Sequence, residues 1–244
     1  MRLVFLGTAG FHPNERRHTA GVFLPELGLL FDAGTGSFRI PNRLATDELD
    51  VFLSHAHLDH AVGLTYLLAP LGNGALSSVR IHGTAEALDA VRDALLDPRL
   101  FPVRPDFDYR PLPDRLAVAG GGTLTHRPLA HPGGSTGYRI DWPGRSLAYV
   151  TDTTAEPAHA EFLRGVDVLI HECYFPDGRE EWAKKTGHSC TTPVAELARA
   201  AGAGRLILTH IDPDATGDDP VGLAAARAVF PRTDVAHDLM EVEF

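Results

Sequence analysis

Residues 54–63 read SHAHLDHAVG and set three histidines and an aspartate within positions 55 to 60. Imidazole and carboxylate at this density form the donor set of a divalent metal. Mostly nitrogen, some oxygen and no thiolate suits Zn²⁺ best, with Mn²⁺ and Fe²⁺ as alternatives because oxygen donors are present. Two such ions roughly 3.5–4 Å apart could make water nucleophilic at neutral pH and clamp both oxygens of an in-line displacement. Ligand-type residues recur further along, each where an apolar strand runs into a loop: His131, Asp152 after SLAYVT, and His210 after LILT. Loops at one edge of a sandwich can converge, which is how residues so distant in sequence could serve one centre.

The elements that must position them follow from periodicity. RLVFLG, AGVFLP and GLLFDAG read as successive strands, the last two joined by a PELG hairpin. LDVFL (49–53) reads as a buried strand and AVGLTYLLA (61–69) as a helix, so the histidine cluster lies on a strand-to-helix loop. VRIHG (79–83) is strand-like and residues 84–96 have helical spacing. Residues 98–122, rich in Pro, Gly and Asp, read as a loop or linker between two halves, roughly 1–120 and 121–244, of a single domain spanning 1–244. Strand-like stretches follow at 122–130, 136–142 and 145–152, then a βαβ series with strands at 166–172 and 204–210. Its helices fall at 179–187 and 192–201, with Pro193 suited to a first turn. A helix near 220–229 and a strand-like MEVEF close the chain. The expected class is α/β (α+β), two sheets face to face with helices on their outer sides.

Composition narrows the partners. The chain has 244 residues, 44% of them hydrophobic, enough for a full core without metal or disulfide support. Its formal charge of -10 repels a long polyanion, so no extended nucleic-acid surface is expected. Arg16, Arg17, Arg39 and Arg43 are the local basic candidates, although paired arginines are mostly solvated surface. Cys173 and Cys190 lack CxxC spacing and read as free thiols of a reducing compartment. The first apolar stretch is four residues long, too short for a signal peptide or membrane span, and a cytoplasmic location with no membrane partner is expected.

HAHLDH with downstream His131, Asp152 and His210 resembles the metallo-β-lactamase fold superfamily over nearly the whole chain. The resemblance implies a four-layer αββα sandwich and a hydrolase with two divalent metals. His55, His57 and His131 would hold the first, Asp59, His60 and His210 the second, and Asp152 would bridge them. Taken singly, Asp59 reads as a helix cap and His131 or His210 as loop histidines bonded locally. Their joint order supports ligation instead.

LIHECYF (169–175) and KTGHSCTTPVAELA (185–198) resemble two motifs of ribonuclease Z and its phosphodiesterase relatives, as do the opening FLGTAGFHPNERRHT and LLFDAGTG. Carried over, the candidate catalytic residues are Asp59, which positions the attacking water, His188 as general acid for the leaving oxygen, and Glu172, which orients His188. Transfer-RNA-processing members carry a long arm between the third-histidine motif and the bridging aspartate. Here 20 residues separate His131 from Asp152, so a small or cyclic phosphodiester or a short RNA end is the expected substrate. A homodimer is implied by the resemblance alone. A thioester or ester hydrolase of the glyoxalase II type shares the seven ligands but leaves the Glu172 and His188 stretches unexplained. A non-catalytic metal-binding scaffold is the reading from outside enzymology.

Overall fold

The computed structural model describes residues 1–244, which divide into two compact units. The first comprises Met1–Pro113 and Asp238–Glu243; the second comprises Asp114–His237 and Phe244. Each has its own buried cluster. That of the first is built on Val4, Phe23, Leu30, Val51, Leu64 and Ile81; that of the second on Val150, Leu169, Val194, Leu197, Leu206 and Ile211. Full burial of such a side chain is worth about 1.5–3 kcal/mol, so either cluster is a core in its own right.

The first unit holds a seven-stranded mixed sheet. Its strands are β1 (Arg2–Gly7), β2 (Gly21–Leu24), β3 (Leu29–Phe31), β4 (Glu48–Phe52), β5 (Ser78–Gly83) and β6 (Asp108–Pro111), with β14 (Glu241–Glu243) on the outer edge of β1. β1, β2 and β3 form the expected antiparallel meander, whereas β3 to β6 run parallel. β1 and β3 to β6 therefore all end at the same edge of this sheet.

The second unit repeats the plan. β7 (Arg115–Val118), β8 (Gly122–Leu129), β9 (Ser135–Trp142) and β10 (Arg145–Val150) are antiparallel neighbours. β11 (Val168–Glu172), β12 (Arg205–Thr209) and β13 (Thr233–Val235) continue the sheet in parallel with β10. Two reversals separate β8 from β10, so β8, β10, β11 and β12 end at one edge.

Helices cover these sheets where apolar spacing permits. Helix Thr191–Ala201 buries Thr191, Val194, Ala195, Leu197, Ala198 and Ala201, a three-and-four spacing, and stops at Gly202, whose φ of 64° suits glycine. Pro193 lies in its first turn as expected. The helix expected over 61–69 is broken into an α-turn (Leu58–Ala61), a 3-10 segment (Val62–Leu67) and a second turn (Leu68–Gly72). Backbone bonds to a neighbouring loop displace the helical ones: Gly63 N–H donates to Ala33 O at 2.7 Å, and His60 O accepts Ala33 N–H at 2.7 Å.

The segment over 84–96 starts as an α-helix (Ala85–Asp89) capped by the Thr84 hydroxyl, which accepts Ala87 N–H. It continues as a π-turn (Ala90–Leu95). Residues 98–122, expected as a loop, contribute β6 and β7. Both are short and largely exposed, one of them at a sheet edge beyond β5 and the other beyond β8, so neither has the buried apolar alternation that reveals a strand. No helix is long and apolar enough to cross a membrane.

Candidate active site

The expected site residues occupy strand ends in both units, and each unit gathers its own set. In the first, β4 runs into Ser54 and the histidine loop. The His55 ring lies 4.3 Å from His57 and 4.3 Å from His60, centroid to centroid. His60 Nδ1 sits 2.8 Å from Asp32 Oδ2, an arrangement in which Nδ1–H donates to the carboxylate and Nε2 is left as the lone-pair nitrogen. Asp32 also accepts Ser54 N–H at 2.7 Å and the Ser54 hydroxyl at 2.8 Å, and Ser54 Oγ is 2.9 Å from His55 Nδ1. One buried carboxylate thus holds the loop backbone and two imidazoles in place.

Asp59 does not cap the turn. His57 occupies the N-cap position without a side-chain capping bond, and the Asp59 carboxylate instead accepts Phe11 N–H at 2.8 Å and lies 3.2 Å from His60 Nε2. Asp32 and Phe11 are functional neighbours that sequence reasoning missed. Asp32 had a signal, since it follows β3 as Asp152 follows β10. Phe11 had none beyond its loop at a strand end: its contact is through the backbone, which has a φ of 59°.

In the second unit, His131 follows β8, Asp152 follows β10, Glu172 ends β11 and His210 follows β12. Asp152 is the centre of this set. One of its oxygens is 3.5 Å from His131 Nε2 and the other 3.2 Å from His210 Nε2. His131 Nδ1 is 3.0 Å from Gly187 O, so that nitrogen carries the proton and Nε2 faces the carboxylate.

His188 joins the set: Asp152, His188 and His210 each offer a donor atom within 4.8 Å of the others. His188 Nδ1 is 2.9 Å from Glu172 Oε1. Glu172, fully buried, also accepts Thr153 N–H at 2.7 Å and Ser189 N–H at 3.1 Å. Tyr174 stacks on His188 at 4.7 Å, and His188 on His210 at 5.4 Å.

Asp32, Asp152 and His210 have φ of 54°, 49° and 56°. Non-glycine residues in the left-handed region are uncommon and collect where surrounding structure fixes a side chain for function. The donor chemistry fits divalent ions in each set. Nε2 of His60, His131 and His210 lies 3.2 to 3.5 Å from a carboxylate, while Nδ1 of His60, His55 and His131 is held by Asp32, Ser54 and Gly187 O as in metal-ligating histidines generally.

Other candidates have structural roles. Arg39 pairs with Asp238 at 2.7 Å and donates to Leu6 O; Arg17 donates to Thr8 Oγ1 at 2.7 Å, and burial lowers its pKa. His18 packs on Phe38 and lies 3.2 Å from Thr35 Oγ1, while His12 Nδ1 is 3.0 Å from Pro13 O. Cys173 and Cys190 are free and buried, as expected, and burial raises both thiols, Cys190 to about 11.

Comparisons with known proteins bear on the family and the fold. The family model of the beta-lactamase superfamily domain matches residues 28–211. Ribonuclease Z of Synechococcus sp. (strain CC9605) is 32% identical over an alignment of 312 residues that takes in 100% of this chain and 98% of that protein. The metallo-beta-lactamase fold protein YhfI from Bacillus subtilis superposes with a TM-score of 0.79 at 24% identity, covering 100% of this chain and 99% of that one. Human tRNase Z, short form, gives 0.78 at 22% identity, again over 100% and 99%. These two share the fold, the α/β sandwich expected from the sequence. On the family match and the full-length relative, the chain belongs to the β-lactamase superfamily and is a ribonuclease Z-like, metal-dependent hydrolase.

Proposed function

We propose that the protein is a dinuclear-metal phosphodiesterase acting on a small or cyclic phosphodiester or a short RNA end. The two residue sets supply one centre in this reading. His55, His57 and His131 would hold one ion and Asp59, His60 and His210 the other, with Asp152 shared between them. When bound, the ions, Zn²⁺ first and Mn²⁺ or Fe²⁺ as alternatives, activate water and neutralise phosphate charge. Asp59, anchored by Phe11 N–H, orients the attacking water through its carboxylate. His188 donates a proton to the departing oxygen, and Glu172 holds the ring so that Nδ1 is tied and Nε2 carries the transferable proton.

The observation that carries the reading is the Glu172–His188 pair at 2.9 Å beside Asp152 and His210. An alkoxide leaves poorly without a proton, whereas a thiolate does not need one, so this pair has work in a diester hydrolase and little in a thioesterase. The relatives named ribonuclease Z support an RNA-type substrate. The 312-residue alignment against a 244-residue chain means that the Synechococcus protein carries residues with no counterpart here, in keeping with a missing arm and the formal charge of -10. The proposal includes a single functional domain over 1–244, a cytoplasmic location and a homodimer.

The test is hydrolysis of bis(p-nitrophenyl) phosphate by protein loaded in turn with Zn²⁺ and Mn²⁺, beside a p-nitrophenyl ester and a thioester. Preferential diester cleavage is expected. Faster thioester cleavage would move the protein to the glyoxalase II type, and turnover of none at full metal occupancy would make it a scaffold.

A further inference from the structure

A pocket opens beside His188 within the second unit. Its walls are small and apolar: Ala155 from the loop after β10, Ala183 on the helix Glu180–Thr186, and Cys190 and Pro193 at the start of the next helix. The Cys190 thiol belongs with the apolar wall, because burial raises it to about 11 and keeps it neutral. Glu180 and Lys184, both exposed and one helical turn apart, add one carboxylate and one cation, and the small polar residues Thr154 and Ser189 complete the lining.

A general acid must approach the leaving oxygen to about 2.6–3.2 Å. Whatever that oxygen carries therefore lies within its own length of His188, and His188 itself lines this pocket. The short side chains of Ala155, Ala183, Cys190 and Pro193 leave room for a flat ring face, and a donor and an acceptor at Lys184 and Glu180 suit a ring whose edge bears both. The Lys184 cation also complements a phosphate carried on the same nucleoside.

We infer that this pocket receives the base of a nucleoside leaving group, with Ala155 and Lys184 setting the preference. The inference rests on the phosphodiesterase reading above and adds to it the chemical class of the leaving group.

The experiment measures kcat/KM for a dinucleotide and for its two analogues lacking the base on the 3′ or the 5′ nucleoside. Removal of the base on the leaving side is expected to lower kcat/KM about tenfold, the usual scale for one base stacked in a protein site. Ala155→Phe fills the pocket, and Lys184→Ala removes only an exposed side chain, so the second variant tests the inference even where the first folds poorly. Both are expected to slow the dinucleotide severalfold and leave the leaving-side abasic analogue within about twofold of wild type. Equal rates for all three substrates, or variants that slow all three alike, would overturn the inference alone. No cleavage of any dinucleotide or of bis(p-nitrophenyl) phosphate would overturn the phosphodiesterase reading and this inference together.

Discussion

Glu172 holds His188 through a 2.9 Å contact to Nδ1 and is itself held by two backbone N–H groups, Thr153 on Oε1 and Ser189 on Oε2. A carboxylate buried this completely, accepting on both oxygens, is fixed as an acceptor and cannot turn. The imidazole it orients inherits that rigidity, which is the condition for proton transfer at a set distance.

His188→Ala is accordingly expected to leave metal content at the wild-type level while lowering kcat for diesters with poor leaving groups by about 10²- to 10⁴-fold, the range of a lost general acid. Cleavage of p-nitrophenyl diesters, whose leaving group needs no proton, falls much less. Metal analysis beside kinetics separates this role from ligation: loss of an ion in the variant would make His188 a ligand, a role its position within 4.8 Å of Asp152 and His210 donors also permits.

Glu172→Gln tests the positioning role. Either orientation of the amide turns its NH₂ toward an N–H donor, at Thr153 or at Ser189, so the variant loses a buried hydrogen bond as well as the charge. A loss of roughly 1–3 kcal/mol in stability is expected. It is read by chemical denaturation, and the leaving-group dependence should change as in His188→Ala. Unchanged stability and kinetics would remove Glu172 from the mechanism.

The candidate ligands at strand ends were legible because each follows an apolar strand, a pattern that needs no knowledge of contacts. Asp152 after SLAYVT and His210 after LILT are of this kind. What sequence could not reveal are interactions set by tertiary backbone geometry. Phe11 reaches Asp59 through its amide, whatever its side chain, and the helix expected over 61–69 yields to bonds between Ala33 and residues His60 and Gly63. β6, β7 and β13 escaped notice for a different reason. They are short strands at sheet edges, two of them largely exposed and the third, Thr233–Val235, only three residues long, so they carry no hydrophobic alternation.

Acid stability follows from one buried and one half-buried group in different windows. His171 is fully buried, its Nδ1 2.8 Å from Glu172 O, and burial lowers its pKa to about 4. The unfolded chain takes up this proton near 6.5 and the folded chain does not until about 4, so stability is complete above 6.5 and is lost as pH falls toward 4. At about 1.4 kcal/mol per pH unit, this amounts to about 3 kcal/mol. His171→Phe is expected to flatten the denaturation midpoint between pH 6.5 and 4. A wild-type midpoint independent of pH in that range would contradict it.

Asp50 acts lower. Burial alone would raise its pKa, but hydrogen bonds from Arg80 at 2.7 Å and His82 at 2.8 Å overcome this and hold it at about 2. Its contribution is complete above the ordinary value of 3.8 and disappears as pH falls through 2. Asp50→Asn should cost about 2 kcal/mol at pH 7 and abolish the step below pH 4, with activity retained, since Asp50 lies mid-strand on β4, in register with Arg80, and is none of the proposed site residues.

Gly187 links helix termination to His131, a proposed metal ligand. It ends the helix Glu180–Thr186 with a φ of 74°, and its carbonyl faces His131 Nδ1 at 3.0 Å. A Cβ there would meet Pro132 Cδ at 2.6 Å and His131 Nδ1 at 2.9 Å. Gly187→Ala therefore carries the left-handed penalty of about 1 kcal/mol and also pushes the His131 ring from the position that sets its tautomer. Loss of such a partner typically weakens metal binding about 10- to 100-fold. Metal titration of the chelator-stripped protein should show weaker uptake in this variant. Gly202→Ala is the control: it has the same left-handed conformation, at 64°, with open space around the added atom, and should lose stability without losing metal. Equal metal affinity in the two variants would leave only the helix-end effect and would detach Gly187 from the site.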